Sequence, residues 1–218
     1  MNYKTITRIG TIAGLYNSPN DLSGDVPRFN VPVASLRFDI GGIIGSTYHG
    51  VTTSSKPFRN PLIPEGTLVR NTRQWLAISQ AELDTIHQRL CLSKEETLEA
   101  RMLGANMLIE PDQGDTFLSR FHGYSLVISP DGNYQGGPVG NDAVVLEGYA
   151  GAMPCKQTGK KLAKHLGDET LKTRFKPAAL IQEGERKQPI RGLVGSVLKG
   201  GKVQRGQFLY ALKPTGFE

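Results

Sequence analysis

The chain has 218 residues with 26 basic and 20 acidic side chains, a formal net charge of +6, 26 glycines and 13 prolines. That length buries one substantial core and is short for two full domains, so residues 1–218 read as a single domain. The basic excess is spread from Arg8 to Lys213 with no long basic run, which excludes a polybasic tail and favours an anionic partner: a phosphorylated cofactor, a nucleic acid or an acidic protein.

The opening Met1-Asn2-Tyr3-Lys4-Thr5 lacks the apolar stretch of a signal peptide, and no run is long enough to span a membrane. A cytoplasmic location and no membrane partner are the expectations. Residues 5–16 read as a strand, 17–32 as a Pro- and Gly-rich loop, and 31–38 as a second strand. A further loop is expected at 54–66 and a strand at 75–78. At Ser79 a helix begins: Ser79 and Glu82 have the spacing of a capping box, and Leu83, Ile86 and Leu90 share one face. Cys91, at the end of that pattern, reads as core.

Strands follow at 105–109, 124–128 and 143–146, with a loop at 131–141. A helix is expected over 158–166 with Gly167 as its stop, and Asp168 is placed to cap a short helix containing Leu171 and Phe175. Strands at 193–198 and 208–212 complete the pattern. The number and spacing of short strands predict a mainly β protein, a barrel or sandwich, with few helices.

The run Met153-Pro154-Cys155-Lys156-Gln157-Thr158-Gly159-Lys160-Lys161 carries the chemistry most clearly. Lysines and a helix N-terminus beside Cys155 both favour the thiolate, which acts as a nucleophile or as a soft metal ligand. The Gly159-Lys160 pair is not a phosphate-binding P-loop: Pro154 stands where that motif has glycine, and Lys161 where it has a hydroxyl residue. The glycines at 41, 42 and 45 do not make a dinucleotide fingerprint, and the four histidines and two cysteines have no zinc-ligand spacing. Arg70-Asn71-Thr72-Arg73-Gln74, just before a strand and a capped helix, is a grouping able to bind a phosphate or another oxyanion. The glycine-rich stretch 38–50 delivers His49 to a loop.

In this order the segments resemble the MOSC domain, named for the C-terminal part of molybdenum-cofactor sulfurases. The stretch 39–50 is similar to that family's early glycine-rich element ending in histidine and glycine. Arg70-Asn71-Thr72-Arg73-Gln74 running into Ile78-Ser79-Gln80-Ala81-Glu82-Leu83 resembles its strand-to-helix signature. Leu103-Gly104-Ala105-Asn106-Met107 looks like the segment that presents an asparagine, Pro154-Cys155 with Gly159 resembles its cysteine motif, and Arg191-Gly192-Leu193-Val194-Gly195 its closing strands. The resemblance covers a core of about residues 33–214. This chain departs from the family pattern at Gly45-Ser46, at Tyr48 and at Gly206-Gln207.

The resemblance implies a MOSC-type β-barrel with a few peripheral α-helices and a molybdenum cofactor, a phosphorylated pterin holding molybdenum. It implies that Cys155 coordinates the metal or carries sulfur as a persulfide. Ser79, Asn106 and Arg191 would line the same pocket, Arg70, Asn71 and Arg73 would bind the cofactor at its phosphate end, and His49 would join Cys155 as a catalytic residue. The chain has no room for the pyridoxal-phosphate desulfurase domain of full sulfurases, so sulfur or electrons must come from a separate cysteine desulfurase or electron-donor protein.

Three functions are therefore weighed. The first is a molybdenum-dependent oxidoreductase reducing N-hydroxylated compounds with Cys155 as the metal's thiolate. The second is a sulfur carrier or sulfurtransferase using the same cysteine. The third is a non-catalytic basic β-barrel module binding nucleic acid, ranked last because aromatics, the residues of a base-stacking platform, make up only 7% of the chain.

Overall fold

The structure, a computed structural model, describes residues 3–18, 29–55 and 63–215. Seven strands close into a barrel: β1 (Tyr3–Asn17), β2 (Trp75–Ser79), β3 (Met107–Pro111), β4 (Ser125–Ser129), β5 (Val144–Gly151), β6 (Leu193–Lys199) and β7 (Phe208–Pro214). Neighbours run β7-β4-β5-β6-β2-β3-β1, and β1 pairs back onto β7. Every barrel pairing is antiparallel except β2 with β3, where Ala77 stands opposite Met107 and Ser79 opposite Ile109. A parallel pair needs a crossover. Here it contains α1 (Gln80–Arg89) and a 3₁₀ turn at Ala100–Leu103.

Each strand expected from the sequence is present, with one division. The stretch 31–38 forms Val31–Pro32, paired to β1, and Ser35–Asp39, which belongs to a small sheet with Gly42–Ile43 and Gly201–Gln204. The Val33 N–H makes one further bond to the Leu15 carbonyl at 3.0 Å before the chain passes to the small sheet. Two further hairpins, Thr52–Ser54 with Leu68–Arg70 and Leu180–Glu183 with Arg186–Pro189, have no strong apolar alternation, so the sequence pattern does not announce them. The expected loop at 131–141 contains no strand or helix, whereas much of the expected loops 17–32 and 54–66 lies outside the described residues.

β2 is buried on both faces. Trp75 and Ala77 join the barrel interior with Ile12, Met107, Leu126, Leu146 and Leu193, while Leu76 and Ile78 pack under the helices with Leu83, Ile86, Leu162 and Phe175. Burial on two sides explains why this strand reads as a continuous apolar run instead of an alternation. The Trp75 indole N–H donates to the Ser196 carbonyl at 3.1 Å, so its one polar atom is satisfied inside the wall.

α1 starts with the predicted capping box: Ser79 Oγ accepts from the Glu82 N–H at 3.2 Å and Glu82 Oε2 accepts from the Ser79 N–H at 3.0 Å. Its far end corrects one expectation. Cys91 is exposed, with φ of +50°, because Leu90 is the last packed residue and Cys91 occupies the left-handed position that ends the helix. α2 (Lys156–Leu166) begins two residues before the expected start and stops at Gly167, φ +71°. α3 (Leu171–Ala178) has Thr170 at its cap, not Asp168. Asp168 instead accepts from the Thr170 N–H at 2.9 Å and pairs with Arg174, bracing the turn between the two helices.

Glu82 is fully buried and has no cation beside it among the described residues. Burial pushes its pKa up to about 7 from 4.5, although the donors of Ser79 and Ser119 oppose that shift by favouring the anion. The folded chain therefore holds a proton between about pH 5 and 7 that the unfolded chain releases, so stability falls as pH rises through that window and then levels off. The full effect is on the order of 3 kcal/mol. Urea unfolding of the wild type from pH 5 to 8 is expected to show this decline, and Glu82→Gln is expected to flatten it; parallel curves for the two proteins would refute the assignment.

Candidate functional site

Three strand ends meet at one rim of the barrel. β5 finishes at Gly151, where a side chain would collide with Pro189. The Ala152 N–H then donates to the Gly192 carbonyl at 2.7 Å, which brings the segment leading to Cys155 alongside the entry to β6. Gly192 has φ of +88°, and a Cβ there would lie 2.0 Å from the Ala77 carbonyl of β2. Only glycine permits that approach, and it fixes where Arg191 emerges.

Cys155 occupies the extended cap position of α2, with φ of −111° and ψ of 151°, and is exposed. Its sulfur lies 3.1 Å from Thr158 Oγ1 and 3.6 Å from Arg191 Nη1. Arg191 Nη1 also donates to Thr158 Oγ1 at 3.1 Å, so the hydroxyl accepts from the guanidinium and keeps its own proton for the sulfur. Burial pushes the Cys155 thiol up, but the donors of Thr158 and the Arg191 charge outweigh it and hold the pKa below the ordinary thiol value. The neighbouring lysines are not the cause: Lys156, Lys160 and Lys161 face solvent, and Thr158 and Arg191 set the shift.

Arg191 is only 8% exposed, and among the described residues it has no carboxylate partner and its buried Nε has no acceptor. A guanidinium taken out of water without a counter-charge is costly. The thiolate of Cys155 supplies part of that charge, and an anionic ligand would supply the rest.

The other sequence-predicted residues lie elsewhere or serve as braces. Ser79 is fully buried with its hydroxyl committed to the α1 cap. Asn106 accepts from the Leu76 N–H at 3.0 Å and donates to the Tyr16 carbonyl at 3.3 Å, tying β2 to β1 just before β3. Arg70 donates to Glu147 Oε2 at 2.6 Å and Ser196 Oγ at 2.9 Å on the barrel wall. Ser196 is three residues into β6 from Leu193, roughly 10 Å along the strand from its start. Asn71 is buried, donates to the Tyr48 and Gly50 carbonyls and accepts from the Arg73 N–H, so it shapes the loop carrying His49. His49 Nε2 sits 2.8 Å from Asp39 Oδ1. Slight desolvation raises the Asp39 carboxyl, but the Gly41 N–H and His49 hold it below the usual range. Hydrogen bonds tie this loop to Asn71 and Gln74, not to Cys155.

Two participants escape a reading of the sequence. Gln74, buried, donates to the Ile40 and Gly50 carbonyls and accepts from the Val197 N–H at 2.7 Å, stitching the glycine-rich loop to β6. Thr158 lies within the cysteine run, where nothing about the residue itself sets it apart. Its position three residues after a helix cap is the signal that could have found it, since that residue faces the cap side chain.

The chemistry of the donor set is specific. Among the described residues no group of three or more His, Cys, Asp or Glu side chains could hold a metal ion. A metal at Cys155 thus has to arrive with most of its own ligands, as a metal carried on an organic cofactor does.

The MOSC domain family model matches residues 64–210, and the chain belongs to the MOSC domain family. Among solved structures the fold is similar to the YuaD protein from Bacillus subtilis, at 24% identity over 97% of this chain and 99% of that one, with a TM-score of 0.74. It is also similar to a hypothetical protein at 13% identity over 95% and 68%, TM-score 0.50, and to YiiM from Geobacillus stearothermophilus at 13% over 97% and 77%, TM-score 0.48. No curated protein matches the chain.

If Arg191 holds the Cys155 thiolate, replacing it with the uncharged and similarly long Met raises the thiol pKa. Iodoacetamide alkylation of Cys155 followed against pH is expected to move its midpoint upward and to slow about tenfold at neutral pH, because below the midpoint the thiolate fraction falls tenfold for each pH unit by which the midpoint rises. An unchanged profile would remove Arg191 from this role.

Proposed function

We propose that this protein binds the molybdenum cofactor with the Cys155 thiolate as the metal's protein ligand, and that it reduces N-hydroxylated compounds. The observation that carries the reading is the exposed sulfur held by Thr158 and by a buried guanidinium that has no carboxylate partner among the described residues. A thiolate suits a soft metal centre, and an unpaired buried cation suits an anionic cofactor, so the residues present fit the group.

In this reading Cys155 is the ligand, and Arg191 and Thr158 fix the sulfur and keep it deprotonated. Arg70 and Arg73 bind the pterin phosphate; among the described residues Arg70 has only Nη2 engaged, by Glu147 and Ser196, which leaves Nε and Nη1 for that purpose. Asn71 sets the loop between the two arginines and His49. Ser79 caps α1 at the end of β2 and Asn106 ties β2 to β1, so both brace the strands beside the site. His49, oriented by Asp39, is the group assigned to hold or release a proton. When bound, the cofactor supplies the two-electron chemistry that removes oxygen from an N–O bond. Electrons come from a separate donor protein, and the setting is cytoplasmic.

A second reading is favoured by the exposure of Cys155: a sulfur carrier that accepts sulfur from a separate pyridoxal-phosphate cysteine desulfurase and passes it on as a persulfide. Elemental analysis separates the two. Protein from a cofactor-making host is expected to contain molybdenum that Cys155→Ser loses. Metal-free protein that acquires sulfane sulfur at Cys155 from a desulfurase, in amounts Cys155→Ser abolishes, would establish the carrier instead.

A further inference from the structure

We propose that Cys155, when it holds neither metal nor sulfur, is a site of reversible oxidation by hydroperoxides, with Thr158 and Arg191 as the groups that promote it. The inference goes beyond the molybdenum and sulfur-carrier readings and depends on neither. It rests on how donors are arranged around one exposed sulfur. Thr158 Oγ1 and Arg191 Nη1 approach the sulfur at 3.1 and 3.6 Å and bond to each other at 3.1 Å. A peroxide oxygen that bonds to the sulfur comes within reach of both.

The step balances without another oxidant or reductant. A sulfur lone pair forms an S–O bond to the nearer peroxide oxygen while the O–O bond breaks, and the bonding pair leaves on the farther oxygen. Cys155–S⁻ and H₂O₂ thus give Cys155–SOH and hydroxide, which a buffer acid in solvent protonates to water. Sulfur is oxidised by two electrons and the peroxide is reduced. Negative charge gathers on the leaving oxygen, where a buried cation with no carboxylate partner among the described residues is worth most. The sulfenic oxygen formed is then an acceptor for the same two donors.

Reversal needs only low-molecular-weight thiols. One condenses with the sulfenic acid to release water and leave a mixed disulfide, and a second displaces Cys155 by exchange. While oxidised, the sulfur is no longer the anionic thiolate that a soft metal or a sulfane sulfur requires, so the oxidation closes the site to both.

Cys91 provides an internal reference. It is also a free exposed thiol, but no hydrogen-bond donor reaches its sulfur among the described residues. The test treats the metal-free full chain with hydrogen peroxide and dimedone at alkaline pH and counts adducts on each cysteine's peptide by mass spectrometry. Cys155 is expected to react about tenfold or more faster than Cys91, and Thr158→Val, which keeps the shape and removes the hydroxyl, is expected to cut that ratio severalfold. Equal rates at the two cysteines in the wild type, or an unchanged ratio in Thr158→Val, would overturn the proposal. The wild-type comparison stands even if the variant fails to fold. Molybdenum content is measured separately, so failure here leaves the cofactor reading intact, and the reverse also holds.

Discussion

The fold depends on one strand that pairs twice. The first half of β1 bonds to β7 from Tyr3 to Thr11, and its second half bonds to β3 from Gly10 to Leu15. That strand therefore joins the two ends of the sheet and leaves the barrel no open edge there. The handover falls at Gly10, where any side chain would strike the Glu110 carbonyl 2.1 Å away, and a register shift before Gly14 continues the bend. Without glycine at the handover β1 could keep one partner but not both, and β3 and β7 would each present unpaired backbone to solvent. Closure also holds β5, β6 and β2 side by side, which is what makes their ends converge near Cys155.

At that rim two buried ionisable groups decline to neutralise each other. Glu82 has both carboxyl oxygens engaged by donors from Ser79 and Ser119, yet burial without a cation beside it among the described residues keeps its pKa up at about 7. Arg191, entering β6 behind Gly192, finds a hydroxyl and a sulfur instead of a carboxylate among the described residues. Had Glu82 reached Arg191, the pair would have been a buried salt bridge with no residual field, and the thiol of Cys155 would have lost its main stabilising charge.

Most of the scaffold is legible in the sequence because its signals are local. Apolar alternation marks the strands, Ser79 and Glu82 mark the α1 start, and Gly167 marks the α2 end. The parts that mislead depend on direction or on distant partners. Cys91 follows an apolar face but sits one residue beyond it, where the backbone turns left-handed and the side chain leaves the core. Lys156, Lys160 and Lys161 are close to Cys155 in sequence, yet a helix start sends them to solvent. The cation that matters is 36 residues away. Thr158 is hidden by being an ordinary residue at an informative spacing, and Gln74 because a loop anchor has no motif.

A single cysteine beside a guanidinium with no carboxylate partner among the described residues also restricts what the rim can receive. A bare metal ion finds one protein ligand and a repelling positive charge, and is poorly held on both counts. A small anion finds the charge but gains nothing from the sulfur. A ligand that combines an anionic body with a thiophilic centre satisfies both groups at once. The net charge of +6 is then a poor guide by itself, since much of it lies on exposed lysines. What sets this rim apart is a cation that folding has taken out of water and, among the described residues, left without a carboxylate.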